Sequence, residues 1–151
     1  MKHKTHCIHS IVGLLSVFAF VFSYAGERQR TPLEQTVFDF YEFYSVDGVP
    51  SDGGMKKFLT NRFYRGLKKA WAMDLDLGNP LIPGQDYDGK AIRESLTLKQ
   101  VSPTSVRVTF KTFSGADKPY TKTVVLKEED NRWRIADVIG EYGSYVKELP
   151  R

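Results

Sequence analysis

The apolar positions in the first half of the chain recur with the 3.6-residue period of a helix. The positions that share one face of the first such pattern are Leu33, Val37, Phe40, Tyr41 and Tyr44. Thr31 can cap this helix, Pro32 suits its first position, and Glu34 completes a capping box. The pattern therefore predicts a helix that begins at Thr31 and buries one face.

A second helical pattern covers residues 55–73, with a break near Thr60 and Asn61. Its apolar face is predicted to contain Phe63, Leu67, Ala70 and Trp71. Arg62, Arg65 and Lys69 fall on the opposite side of this helix, within a sector of about 60°. Residues 74–90 follow as a long irregular loop with four aspartates. Loops of this length are uncommon unless they have a functional role.

The second half of the chain changes to the two-residue period of β-strands. The predicted inward-facing positions are Ile92, Glu94, Leu96, Leu98, Val106, Val108, Phe110, Tyr120, Val124, Leu126, Trp133 and Ile135. Short breaks separate four runs, which predicts an antiparallel meander. A short last helix is expected over residues 144–149. The sequence thus predicts an α+β domain, with N-terminal helices packed on a four-stranded antiparallel sheet.

Residues 1–25 have the pattern of an export signal. Lys2 and Lys4 precede an apolar run of 12 residues, 11–22, which suits a signal core and is shorter than a membrane span. Cleavage after Ala25 is predicted, which leaves residues 26–151 as a single periplasmic domain with no membrane span. The alternative is an uncleaved leader that anchors the chain in the inner membrane.

Composition narrows the candidate chemistry. All three histidines and the single cysteine lie in residues 1–9, so cleavage would remove every imidazole and thiol. Neither a disulfide, a zinc site, a cysteine nucleophile nor any other cofactor site is therefore predicted. Loss of Lys2 and Lys4 leaves 20 cationic side chains against 18 acidic ones. Such a small excess argues against nucleic acid as the partner.

The order helix, helix, meander and three segments resemble a known family. The segments are FLTNRFYRGLKKA (58–70), GQDYD (84–88) and WRIADV (133–138). They are similar to small secreted bacterial proteins of the nuclear-transport-factor-two-like, or cystatin-like, superfamily, over residues 31–149. The resemblance implies a curved sheet that wraps around a helix to form an open cone. That superfamily includes enzymes, small-ligand binders and protein-binding modules, so the resemblance does not fix the function.

One candidate site is a pair of carboxylates, Glu94 and Asp137, which strand parity places inside the predicted cone. Burial would raise their pKa values and suit one of them to general acid or base catalysis in a hydrolase or isomerase. A bulge that turns Asp137 outward, or a salt bridge, is the structural alternative. Asp86, Asp88 and Gly89 resemble the start of a calcium loop without its closing ligand, so no metal site is predicted.

The second candidate site is a surface for a protein partner. Size and export also make the chain similar in design to immunity proteins of bacterial contact-dependent secretion systems. That resemblance implies a periplasmic partner, a toxic envelope-directed enzyme whose cleft the loop 74–90 would cover. The residues predicted to bind it are Asp74, Asp76, Asp86, Tyr87, Asp88, Trp71, Arg62, Arg65 and Lys69. A small apolar or envelope-derived ligand in the cone and a homodimer through the open sheet remain alternatives.

Overall fold

A computed structural model describes residues 28–46, 52–75, 80–82 and 86–150. The predicted leader and Asp76 lie outside these residues. The elements in chain order are α1 (Pro32–Val46), α2 (Asp52–Met55), α3 (Asn61–Ala72), α4 (Gly89–Ser95), β1 (Thr97–Ser102), β2 (Ser105–Phe110), β3 (Tyr120–Glu129), β4 (Arg132–Gly140), β5 (Gly143–Ser144) and α5 (Tyr145–Glu148). The strands form one antiparallel sheet in the order β1-β2-β3-β4-β5. The α+β class and the meander are confirmed, but the sheet has five strands where four were predicted.

Helix α1 begins with the predicted capping box. The Thr31 N–H donates to Glu34 Oε2 over 3.0 Å, and the Glu34 N–H donates to Thr31 Oγ1 over 3.3 Å. The predicted apolar face is buried against the sheet. Tyr41 on this face is fully buried, and its hydroxyl donates to the Leu81 carbonyl over 3.1 Å. Burial raises the pKa of Tyr41, so the hydroxyl stays protonated as a donor that ties residues 80–82 to the core.

Helix α3 begins where the sequence predicted a break, because Thr60 caps it by accepting from the Phe63 N–H over 3.3 Å. The residues just before it pair with the sheet. The Thr60 N–H donates to the Ile135 carbonyl over 2.9 Å, and the Ile135 N–H donates to the Phe58 carbonyl over 2.7 Å. This pairing fixes the start of α3 at the β4 edge. Trp71, predicted for the buried face of α3, is 49% exposed, so that part of the prediction is wrong.

The first predicted strand is partly wrong, because residues 89–95 form helix α4. Asp88 caps this helix by accepting from the Lys90 N–H over 2.8 Å. Ile92 and Leu96, which alternate like strand residues, are also four positions apart and therefore fit a helical face equally well. The Asp88 cap favours the helix, and β1 begins only at Thr97.

Strand β4 contains a β-bulge at Ala136. Val125 of β3 faces Asp137, whereas Leu126 faces Ile135, so Ala136 is an extra residue. Ile135 and Val138 are buried in the core. The extra residue therefore reverses the alternation, and Asp137 points to the face opposite Ile135.

None of the helices within the described ranges is long and apolar enough to cross a membrane.

Candidate protein-binding groove

The two carboxylates of the predicted catalytic pair are not brought together. Glu94 is exposed on α4, where its Oε1 lies 3.8 Å from Lys90 Nζ one helical turn away. Asp137 lies on β4, turned from the core by the bulge. The sequence placed Glu94 on a strand, so the premise for pairing the two acids in one cavity is wrong.

Asp137 instead anchors the C-terminal segment. Its Oδ1 accepts from the Val138 N–H over 2.8 Å and from the Val146 N–H over 3.0 Å. Its Oδ2 accepts from the Ser144 hydroxyl over 2.5 Å. Ser144 precedes α5 but makes no side-chain cap of its own, so the carboxylate of Asp137 satisfies a free N–H in the first turn of α5.

The acidic segment at residues 86–88 has mixed roles. Asp86 is exposed, whereas Asp88 is used to cap α4, and its own N–H donates to the Thr112 carbonyl over 2.7 Å. The Tyr87 ring lies 6.1 Å from the Tyr44 ring, and partial burial raises the pKa of Tyr87. Asp74 is exposed after α3 with a φ of +54°. Within the described residues, no group of three or more His, Cys, Asp or Glu side chains could hold a metal ion.

The three cations predicted on α3 do come together, in a groove that we call the α3 groove. It has a volume of about 480 Å³, and it is lined by Arg62, Arg65, Gly66, Lys69, Val146, Leu149 and Pro150. One wall is therefore the cationic face of α3, and the other is the apolar C-terminal segment. Trp71 follows Arg62 by nine positions, about 180° around the helix, so it lies away from this groove.

Gly66 brings the two walls of the α3 groove together. A Cβ atom at Gly66 would lie 2.8 Å from Leu149 Cδ1 and 3.1 Å from Leu149 Cβ, closer than ordinary packing allows. Leu149 is buried against the helix, and the Tyr145 ring lies 6.0 Å from the Phe63 ring of α3. The absence of a side chain at Gly66 thus lets the C-terminal segment pack directly on α3.

The charges that line the α3 groove are all positive. Arg62 and Arg65 are exposed, and within the described part of the chain neither forms an ion pair. The Arg65 Nε–H donates to the Asn61 carbonyl over 3.3 Å, which leaves its terminal guanidinium N–H groups available to a ligand. The sequence predicted this cationic face but missed the opposite wall. The glycine between the cations was the one available sign of a close packing partner.

A second groove, which we call the α1 groove, lies where residues 28–30 pass α1 and β1. It has a volume of about 520 Å³, and the residues that line it include Arg28, Arg30, Glu34, Phe38 and Leu98. Its charges are largely paired within the fold. The guanidinium of Arg28 lies 2.5 Å from Glu34 Oε1, and that of Arg30 stacks 3.7 Å from the centre of the Phe38 ring.

Glu34 lies at the centre of the α1 groove. The sequence predicted only a capping role for it. Its side chain is 0% exposed, and it also accepts from the Gln100 N–H over 2.8 Å. Burial by itself raises the pKa of Glu34. The hydrogen bonds from the Thr31 N–H, the Arg28 guanidinium and the Gln100 N–H, together with the Arg28 charge, outweigh burial and hold that pKa below its ordinary value.

No family model matches the chain, and no curated protein matches it. Two solved structures share its fold. A protein of unknown function from Bacteroides thetaiotaomicron VPI-5482 has 21% identity and a TM-score of 0.56, covering 70% of this chain and 87% of that one. A chain of the type VI native effector–immunity complex Tae3–Tai3 from Ralstonia pickettii has 18% identity and a TM-score of 0.53, covering 73% of this chain and 94% of that one. The assignment to the nuclear-transport-factor-two-like superfamily stays a prediction.

Proposed function

We propose that this chain is a protein-binding domain that neutralises a partner protein, in the manner of an immunity protein against an envelope-directed effector. The observation that carries the proposal is the fold that this chain shares with one chain of an effector–immunity complex. The match covers 94% of that other chain. The predicted export signal adds the periplasm as the proposed location.

The chemistry of the described residues favours binding over catalysis. Residues 10–151 contain no histidine and no cysteine, the side chains most used for proton shuttling and nucleophilic attack near neutral pH. The two acids considered for catalysis are committed elsewhere, Glu94 beside Lys90 and Asp137 to the start of α5. These observations support the binding side of an effector–immunity pair as the role of this chain.

Affinity capture followed by an activity assay tests the proposed function. The full chain is immobilised and exposed to envelope and secreted fractions of the bacterium that encodes it, and captured proteins are identified and purified. We expect one partner that binds stoichiometrically and whose envelope-degrading activity falls when the chain is added. A captured protein whose activity is unchanged by the chain, or turnover of an envelope substrate by the chain alone, would contradict the proposal.

The proposed contact through the loop 74–90 needs a more careful variant than reversal of both aspartates. Asp88 caps α4, so Asp88→Lys would disturb the helix as well as the surface. Asp86→Lys changes an exposed side chain only, and Asp88→Asn retains a capping side chain as its matched control. We expect Asp86→Lys to weaken binding of the captured partner about tenfold and Asp88→Asn to change it less than about twofold. Equal affinity of wild type and Asp86→Lys would remove this loop from the interface.

A further inference from the structure

We infer that the α3 groove binds an extended acidic segment of the protein partner, in which acidic and apolar residues alternate. The inference rests on the proposed function in that it assigns a surface and a chemistry to the same partner. It starts from the arginines Arg62 and Arg65, which form no ion pair among the described residues although they line a concave groove.

The spacing of the cations fits an extended peptide. Arg62 and Lys69 are seven residues apart on α3, a rise of about 10 Å. An extended chain covers this distance in about three residues. Its alternate side chains are about 6.6 Å apart on one side, compared with a rise of about 4.5 Å from Arg62 to Arg65 and about 6 Å from Arg65 to Lys69. Two carboxylates at alternate positions can therefore reach Arg62 and Arg65.

The opposite wall determines the remaining positions of the segment. Val146, Leu149 and Pro150 offer apolar surface across the groove from the cations. Successive side chains of an extended peptide point to opposite sides, so acidic side chains toward α3 place their neighbours toward this apolar wall. Apolar neighbours would be removed from water there, which adds to the ion pairs and favours alternation over a purely acidic tract.

The shape of the site favours a peptide over an anionic membrane surface. A groove with two walls and a volume of about 480 Å³ can enclose a narrow segment, whereas a lipid surface needs cations that project from a flat or convex patch. Lys99 and Arg107 form another exposed cationic pair, directly opposite each other on β1 and β2 and outside the α3 groove. That pair supplies a matched control for the α3 groove.

Peptide binding to the full chain tests the inference. The probes are fluorescein-labelled Glu-Leu-Glu-Leu-Glu-Leu and the uncharged Gln-Leu-Gln-Leu-Gln-Leu, measured by fluorescence anisotropy at low salt. We expect the acidic probe to bind at least tenfold more tightly. Arg62→Glu combined with Arg65→Glu should weaken its binding at least tenfold, whereas Lys99→Glu combined with Arg107→Glu should change it less than twofold. Unchanged melting temperatures would show that both variants fold.

The inference would be overturned by equal binding of the two probes, by an equal loss of affinity in both variants, or by binding to vesicles of anionic lipid that requires Arg62 and Arg65. Dimerisation of the chain that is lost with the same two arginines would also overturn it, since the groove would then hold a second copy.

A second arm separates this inference from the proposed function. If the variant with Arg62→Glu and Arg65→Glu neutralises the captured partner as well as wild type does, the inference fails and the proposed function stands. If the acidic probe binds through these arginines but the chain inhibits no partner, the proposed function fails and the binding chemistry of the groove stands.

Discussion

The α1 groove and the α3 groove are similar in size and both contain arginines, but they use them differently. In the α1 groove, Arg28 pairs with a buried carboxylate and Arg30 stacks on Phe38, so both cations are satisfied inside the molecule. In the α3 groove, Arg62 and Arg65 face open space and form no ion pair in the described part of the chain. The first arrangement stabilises the fold, whereas the second leaves charge available to a partner.

The largest expected difference between the two grooves is in stability. Glu34→Gln keeps the shape of the side chain but removes the negative charge of the carboxylate. That carboxylate accepts hydrogen bonds from Thr31, Gln100 and Arg28. We expect a loss of about 2 kcal/mol in the free energy of unfolding, measured by urea denaturation. Glu94→Gln, the same change at an exposed acid, should cost less than about 0.5 kcal/mol. Equal losses in the two variants would show that the buried hydrogen bonds of Glu34 add nothing.

A smaller loss is expected at the wall of the α3 groove. Asp137→Asn should weaken the hydrogen bonds that the carboxylate accepts from Ser144 and Val146, so the C-terminal segment would be held less firmly. We expect the free energy of unfolding to fall by about 1 kcal/mol. The same variant should weaken binding of the acidic hexapeptide although Asp137 does not line the groove. Urea denaturation and peptide anisotropy measure the two effects. Loss of stability with unchanged peptide affinity would show that the apolar wall plays no part in binding.

The pH dependence of stability should also distinguish the grooves. The folded state holds the pKa of Glu34 below its ordinary value of 4.5, so it binds the proton less tightly than the unfolded state does. The contribution of Glu34 is therefore complete above that value and is lost as the pH falls through the lower, folded-state pKa. The difference in melting temperature between wild type and Glu34→Gln should narrow over this acidic range. A constant difference would contradict the lowered pKa.

The smallest effect is expected when the cations of the α3 groove are neutralised. Arg62→Gln combined with Arg65→Gln should change the free energy of unfolding by less than about 0.5 kcal/mol, because no described acid depends on either side chain. Thermal and urea denaturation measure this directly. A loss of more than about 1 kcal/mol would show that these arginines have a structural role comparable to that of Arg28.

How well the sequence predicted each region depended on the distance between the residues that determine it. The start of α1 was predicted because Thr31 and Glu34 are three positions apart and their capping box is local. The cationic face of α3 was predicted for the same reason, since helical spacing alone places Arg62, Arg65 and Lys69 together.

The errors arose where distant residues decide the structure or where two periods coincide. Ile92 and Leu96 fit both a strand and a helix, so Glu94 was assigned to the wrong element. The bulge depends on how β4 pairs with β3, which the β4 sequence by itself does not reveal. The apolar wall of the α3 groove depends on contact between Gly66 and Leu149, more than 80 positions apart. Gly66 is a local sign that something packs closely on α3, but it does not identify Leu149 as the partner.

The extra alanine in β4 has a consequence for how this molecule could change. Without Ala136, Asp137 would directly follow Ile135 in a regular strand, so its carboxylate would still point away from the core and Val138 would still point into it. The hydrogen bonds from Ser144 and Val146 to Asp137 would remain possible in such a strand. Loss of one residue at the bulge should therefore preserve the core, whereas loss of one residue elsewhere in β4 would turn the side chains that follow it to the wrong face of the sheet.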